Sequence, residues 1–296
     1  MGKFRVGFSR RRITPEIGTW MMGYAARKEP CVGIHDDIFV SVTACSDGED
    51  AVLIAAYDVA SFNTEGVAII KDAVEEQTGI PPERILVNTS HTHAGPMVAS
   101  RPYGRFEESY FLEVVVPRTV SAAAACMEDL QEARLSVGSA PCDIGCNRRE
   151  RTEEGRVRLG VNPEGPRLAE VTVWLFERSG GDDIVLWSIP IHGTVCGSEN
   201  LEISAEWMGS AVREIEASRH GVRAVFLQGC AGDQAPYRDD HSFVRVVELG
   251  RKAAAGVCMA MESAREIEAL PILSLIHISE PTRPLYTSYA VFCLKK

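Results

Sequence analysis

Two imidazoles one residue apart, in Ser90-His91-Thr92-His93-Ala94-Gly95-Pro96, are the strongest chemical signal in the chain. In extended backbone, residues i and i+2 point the same way, so His91 and His93 are expected to face a common site. The small residues and the Gly-Pro turn behind them leave room for a ligand. His192 ends an alternating apolar segment and precedes the small-residue loop Gly193-Thr194-Val195-Cys196-Gly197. Neutral imidazole suits Zn²⁺, and a catalytic zinc takes three protein ligands and a water. A single histidine at a strand end is more often a hydrogen-bonded structural residue. The pair, with His192 as the distant donor, supports a candidate zinc centre.

Other groups could join it. His35-Asp36-Asp37 could line the same crevice or orient an imidazole, or could be a solvated turn. Arg148, in Gly145-Cys146-Asn147-Arg148-Arg149, could offer a guanidinium to a carbonyl or oxyanion, or make a surface ion pair. Gly229-Cys230-Ala231-Gly232-Asp233 lacks the Lys-Ser/Thr ending of a phosphate loop and reads as a tight turn with N–H groups facing a crevice. Cys142 and Cys146 make a poor metal knuckle, with no second cysteine pair nearby.

The elements that must position these groups alternate between strand and helix. Ile38, Val40, Val42 and Ala44 alternate with small or polar residues, and Ser46-Asp47-Gly48-Glu49 supplies a turn before the apolar run 51–57, which ends at Asp58. Asn63 or Thr64 opens a helix with Val67, Ile70 and Val74 on one face, closed by Gly79. A strand over 84–88 delivers the histidine pair, and a long helix over 107–133 is expected to be kinked or divided at Pro117. The second half repeats the theme: a hairpin over 168–177 and 184–191, a helix over 206–219, a strand over 223–227 and a closing helix over 242–265. No internal sequence repeat is visible. The pattern predicts one α/β domain with a mixed sheet core and flanking helices. Histidines, Asp58 and the glycine turn all fall beyond strand ends, where ligands bind in open α/β sheets.

With 296 residues, 45% hydrophobic and 24% charged, the chain has ordinary globular composition. Folding at this size hides roughly three quarters of the unfolded surface, so a metal would be present for chemistry rather than as a staple. Thirty-one basic residues against forty-one acidic ones give a net charge of −10, which disfavours nonspecific binding to nucleic acid or anionic lipid. The expected partner is a small molecule. No transmembrane segment or signal peptide is read, and the nine cysteines are expected to be reduced, in keeping with a cytoplasmic location. Oligomeric state is not legible.

From about Ala269 the sequence changes character. LSLIHISEPTR and SYAVFCLKK look like one reading frame of sequencing adapters, so 269–296 is expected to be an artefactual tail and 1–268 a C-terminally truncated domain. On that reading His277 and Cys293 carry no function.

In collinear order, Ile13-Thr14-Pro15 with Gly18 and Met22-Gly23-Tyr24, Gly33-Ile34-His35-Asp36, the 90–96 motif, Gly145-Cys146-Asn147-Arg148-Arg149, His192-Gly193-Thr194-Val195 and Gly229-Cys230-Ala231-Gly232-Asp233 resemble the neutral/alkaline non-lysosomal ceramidase family. The likeness is to its N-terminal catalytic domain and its shorter bacterial relatives. The resemblance implies a zinc hydrolase of N-acyl bonds, which in the true ceramidases frees a fatty acid from a sphingoid base. It assigns His91 and His192 to zinc and His93 to a second active-site role, and it puts Arg148 near the catalytic centre. Asp233 joins the catalytic group, and Gly229, Gly232, His35 and Asp36 are candidates for substrate contact. The family completes its zinc with a glutamate and a tyrosine from farther along the chain, which here would lie beyond 268.

This chain departs from the pattern at Gly232-Asp233-Gln234-Ala235-Pro236, where Ala235 stands at the serine position of true ceramidases. Glu206 stands where the family more often has aspartate, a change expected to tune packing or loop hydrogen bonding. The reading is therefore a zinc amidase of an acyl-amide other than ceramide. A zinc-activated hydroxide would attack the carbonyl, Arg148 would help hold the oxyanion and His93 would carry the proton. The alternatives are a metal-dependent esterase and a non-catalytic binder that keeps the fold.

Overall fold

The structure is a computed structural model and describes residues 4–237 and 239–268. The expectations for the tail, with His277 and Cys293, fall outside the described residues. Strand β1 (Arg5–Arg12) opens the chain, and the following loop contributes the two-residue β2 (Gly33–Ile34). Strands β3 (Phe39–Ser46) and β4 (Ala51–Tyr57) form the expected hairpin. Its turn is held by Asp47, whose Oδ1 accepts the N–H groups of Glu49 and Asp50. Helix α1 (Thr64–Thr78) begins where the Asn63 side chain accepts the Gly66 N–H, and it stops at Gly79, whose φ of 71° suits glycine. Strand β5 (Ile85–Thr89) follows.

The long helix is divided where Pro117 removes an N–H donor. A turn of helix, α2 (Glu108–Tyr110), passes through a π segment (Phe111–Val115) into α3 (Val116–Glu128). It ends short of the expected 133, because β6 (Gln131–Pro141) begins there. By length and composition alone the run Glu108–Glu128 would suffice to cross a membrane, contrary to the sequence reading. In the fold its Phe111, Val115, Ala122, Ala123 and Cys126 are core residues.

The rest of the chain adds β7 (Gly145–Arg151), β8 (Val157–Asn162), β9 (Glu170–Arg178), β10 (Asp183–Ser188) and the short β11 (Glu202–Ile203). Helix α4 (Glu206–Ser218), β12 (Val222–Phe226), β13 (Gln234–Pro236), α5 (Phe243–Glu262) and β14 (Arg265–Ile267) complete it. The main sheet runs β12-β10-β9-β6-β1-β3-β4-β5, with β14 also on β6. Pairs β4–β5 and β10–β12 at its two edges are parallel and its other pairs antiparallel, which is the mixed sheet expected.

The sheet folds over at its weakest seam, the two pairs Arg5↔Glu132 and Val6↔Gln131 between β1 and β6. Period-2 alternation then serves two cores on each strand. On β4, Leu53, Ala55 and Tyr57 pack with Ile70 and Val74 of α1 and Ala122 of α3. On β10, Val185 and Trp187 pack with Ile215 of α4 and Val257 of α5. The intervening Ile54, Ala56, Ile184 and Leu186 meet each other between the two sheet halves, with Val6, Leu86 and Val225. The order of layers is helix, sheet, sheet, helix. The fold-over brings opposite edges together, where Asn88 Nδ2 donates to Gln228 O (3.3 Å) and Gln228 N–H donates to Asn88 Oδ1 (2.9 Å).

A repeat invisible in the sequence appears in the topology. The series β1-β3-β4-α1-β5-α3 is matched by β6-β9-β10-α4-β12-α5, and β14 pairs with β6 as β6 pairs with β1. Gly7 of β1 and Gly138 of β6 occupy matching places, each under a helix carbonyl near the end of its helix. A Cβ on Gly7 would lie 2.1 Å from Cys126 O, and one on Gly138 would lie 2.1 Å from Ala260 O. Backbone cannot yield as a flexible side chain can. Gly7→Ala and Gly138→Ala are each expected to lower the unfolding free energy by about 1–3 kcal/mol in urea titrations. Gly232→Ala, with nothing within 4 Å of the added Cβ, should leave it unchanged.

Candidate metal centre

The two edge pairs of the sheet deliver the histidines. Beyond β5 the parallel ladder continues, with Ser90 N–H on Tyr57 O (2.8 Å) and His91 N–H on Val59 O (3.1 Å). His91 then turns into the left-handed region (φ 59°), so the extended backbone expected for the pair is not what aligns the rings. A parallel bridge between Thr92 and Gly193, and a bond from His93 N–H to Gly193 O (2.9 Å), join this loop to the one after His192. The ring nitrogens of His91, His93 and His192 able to bind a metal all lie within 4.8 Å of one another. Among the described residues this is the one cluster of three such ligands.

Hydrogen bonds set which nitrogens face the centre. A carbonyl can only accept, so His91 Nδ1 donates to Ala60 O (2.7 Å) and His192 Nδ1 donates to Gln234 O (3.1 Å), leaving each Nε2 with its lone pair. His93 Nε2 lies 3.3 Å from His91 Nε2. Two nitrogens on one tetrahedral zinc, each at about 2.0–2.1 Å, stand about 3.3 Å apart, so this pair has the spacing a shared ion requires. His93 Nδ1 is buried with no partner. Burial, the largest cause, and neighbouring charges together push the pKa of His93 down to about 2 and that of His192 to about 3, and burial also lowers that of His91. Among those charges, neighbouring imidazoles act on His93 and His192, and Arg148 acts on all three rings. Three neutral imidazoles are a donor set that fits Zn²⁺.

Surrounding residues hold the rings. Gly23 (φ 114°) lies so close to His93 that a Cβ would be 2.5 Å from its Cγ, and Tyr24 meets the same ring edge-on at 5.0 Å. Buried Arg27, whose pKa is lowered by burial, donates to His93 O (3.1 Å). Trp207 Nε1–H donates to His192 O (2.9 Å). Arg27 and Trp207 carried no sequence signal, because each acts on a backbone carbonyl distant in the chain.

The other sequence candidates divide into two groups. Arg148 is near enough to act electrostatically on all three imidazoles, and its Nε and Nη2 donate to Gly232 O (3.2 and 3.1 Å). Asp233 is half-buried beside it, its carbonyl accepting the Arg148 N–H (2.7 Å). Gly229 packs against Pro190, and Gly232 presents its carbonyl to Arg148 and Arg149. His35 and Asp36 contact each other, His35 Nδ1 lying 2.8 Å from Asp36 Oδ2. His35 stacks on Phe243 at 3.6 Å, and Asp36 accepts from Ser204 Oγ, Ala205 N–H and Arg213 at the start of α4. Asp58 accepts the Phe39 N–H (3.0 Å) and lines a cavity with Arg10 and Arg213. Ala235 is buried in β13, paired with Cys146. The eight cysteines among the described residues form no disulfide with one another.

Mixed sheet, paired helix layers and histidine loops together make a ceramidase-like fold. Neutral ceramidase from Pseudomonas aeruginosa superposes with a TM-score of 0.75 at 21% identity, covering 90% of this chain and 46% of that one. A ceramidase complexed with C2 superposes with a TM-score of 0.77 at 20% identity, covering 90% and 45%. The chain thus spans less than half the length of these solved structures. No family model and no curated protein matches the sequence.

An imidazole kept neutral by the fold but free to protonate when unfolded contributes stability above about pH 6.5, and this stability is lost as pH falls. The slope is up to about 1.4 kcal/mol per pH unit for each such group. In the metal-free protein, thermal stability should therefore drop between pH 7 and pH 5. His93→Gln should make the drop shallower in a melting series, and an unchanged slope would mean that His93 protonates in the folded state.

Proposed function

We propose that this chain carries the histidine side of a zinc-dependent amidase centre that hydrolyses an N-acyl bond in a substrate other than ceramide. The observation that supports the reading most is the meeting of His91, His93 and His192 on a ceramidase-like fold, all three held uncharged by burial and with the lone pairs of His91 and His192 inward. His91 and His192 would hold the ion, each oriented by its Nδ1–H bond to a backbone carbonyl. When bound, zinc supplies water activated near neutral pH and polarises a carbonyl.

The chain's own residues have definite tasks in this scheme. Arg148, braced on Gly232 O, brings a fixed positive charge toward the oxygen that becomes anionic on attack. His93, with its Nε2 3.3 Å from His91 Nε2, stands beside the ion's ligands where it would pass a proton to the leaving amine. Ala235 offers no hydroxyl, which argues against ceramide and favours, as a second reading, a binder that does not turn its ligand over.

Elemental analysis of the purified full-length protein should find stoichiometric zinc, lost in His91→Ala and in His192→Ala. Turnover of N-acyl amides, measured against acyl esters and ceramide, should be abolished in the same variants. Zinc with no turnover supports the binder. Absence of zinc, with hydrolysis unchanged in His91→Ala, refutes the centre.

A further inference from the structure

A knot of hydrogen bonds at the start of α4 ties together the two loops that carry the histidines. On one side Thr92 Oγ1 donates to Ser204 O (2.9 Å), and Ser204 N–H donates to Ala94 O (3.0 Å). On the other side Glu206 Oε1 accepts the Cys196 N–H (2.8 Å), and the adjacent Trp207 donates to His192 O (2.9 Å). Asp36 anchors the middle. Its Oδ2 accepts from Ser204 Oγ (2.5 Å), which in turn accepts the Glu206 N–H (2.9 Å), while Oδ1 accepts the Ala205 N–H (3.1 Å). Asp36 thus stabilises the knot beneath the histidine loops.

Glu206 is unusual on two separate counts. Its φ of 59° places a non-glycine residue in the left-handed region. Its side chain is 1% exposed and makes no ion pair among the described residues. A buried carboxylate and a strained backbone are each costly, and they persist together only where the surroundings over-determine them. The compensation is visible: the carboxylate accepts N–H groups from the loop after His192 and from its own helix start, Cys196 at 2.8 Å and Trp207 at 3.4 Å. A shorter side chain would leave the Cys196 N–H buried and unbonded.

We propose that Glu206 is the positioning residue of the metal centre, holding the 193–197 loop so that the His192 imidazole meets His91 and His93. This rests on the metal reading above for what the three rings hold. Glu206→Ala in the full chain is expected to weaken zinc binding about 10–100-fold, as loss of an outer partner does at metal sites, and to alter the visible spectrum of the cobalt-loaded protein. Glu206→Gln keeps one oxygen for the Cys196 N–H and should lose less. Val74→Ala, a core truncation in α1, should lower thermal stability while keeping zinc affinity and the cobalt spectrum. The proposal is overturned if Glu206→Ala binds zinc like wild type, or if Val74→Ala weakens binding as much. Should Glu206→Ala fail to fold, Glu206→Gln against Val74→Ala decides by the same measure. Should wild type bind no zinc, the metal reading fails, and imidazole ¹⁵N resonances of the metal-free chain decide. Movement of the His192 ring signals in the Glu206 variant but not in Val74→Ala supports the role, and unmoved signals refute it.

Discussion

Removing three imidazoles from water, close enough to discourage one another from protonating, is the constraint around which this molecule is arranged. Desolvation is the leading cause of the lowered proton affinity at each ring, and mutual proximity deepens it for His93 and His192. At His91 and His192 the Nε2 lone pairs face inward, and His93 Nε2 lies 3.3 Å from His91 Nε2. Backbone carbonyls at Ala60 and Gln234 take the outward N–H groups, so ring orientation follows from main-chain position. Side-chain chemistry at the centre is therefore only as well defined as the loops beneath it.

Those loops meet because the sheet turns back on itself. Strands β5 and β12 lie at opposite ends of the sheet order, yet Asn88 and Gln228 bond directly. The inner faces of the two halves bury one another, which hides apolar surface that a single open layer would leave in water. The topological repeat explains the economy of the arrangement. Each half supplies a hairpin, a helix and a parallel edge strand, and the segments after β5 and β10 carry the histidines. Backbone stress collects where these loops are tied down, since His91 and Glu206 are the two described non-glycine residues with positive φ.

Much of this was legible in the sequence, for reasons that are local. Asn63 and Gly79 bound α1 through their own side-chain and backbone chemistry, and the alternation from Val40 to Ala44 encodes a strand within a few residues. Strands β2, β6, β7, β8, β11, β13 and β14 are not legible in this way, because their assignment depends on partners far away in the chain. The spacing of the histidine pair points to one shared volume but not to its geometry, since the left-handed turn at His91 comes with bonds to Val59 and Ala60. Asp36 illustrates the converse. Its residue type suited a crevice, and its place beside Ser204 and Ala205 made it a helix anchor.

What the amino-acid sequence determined alone was the supply of donors and the short-range elements that present them: neutral-capable imidazoles at strand ends, glycines where close approach or positive φ is needed, and caps for the helices. Tertiary structure decided which of those donors share a volume. Convergence of His91 and His93 with His192 depends on the fold-over of a nine-stranded sheet and on bonds between residues a hundred or more positions apart, such as Thr92 to Ser204. Periodicity and residue type act over a few residues, whereas burial, and with it the proton affinity of every group at the centre, is a property of the packed whole.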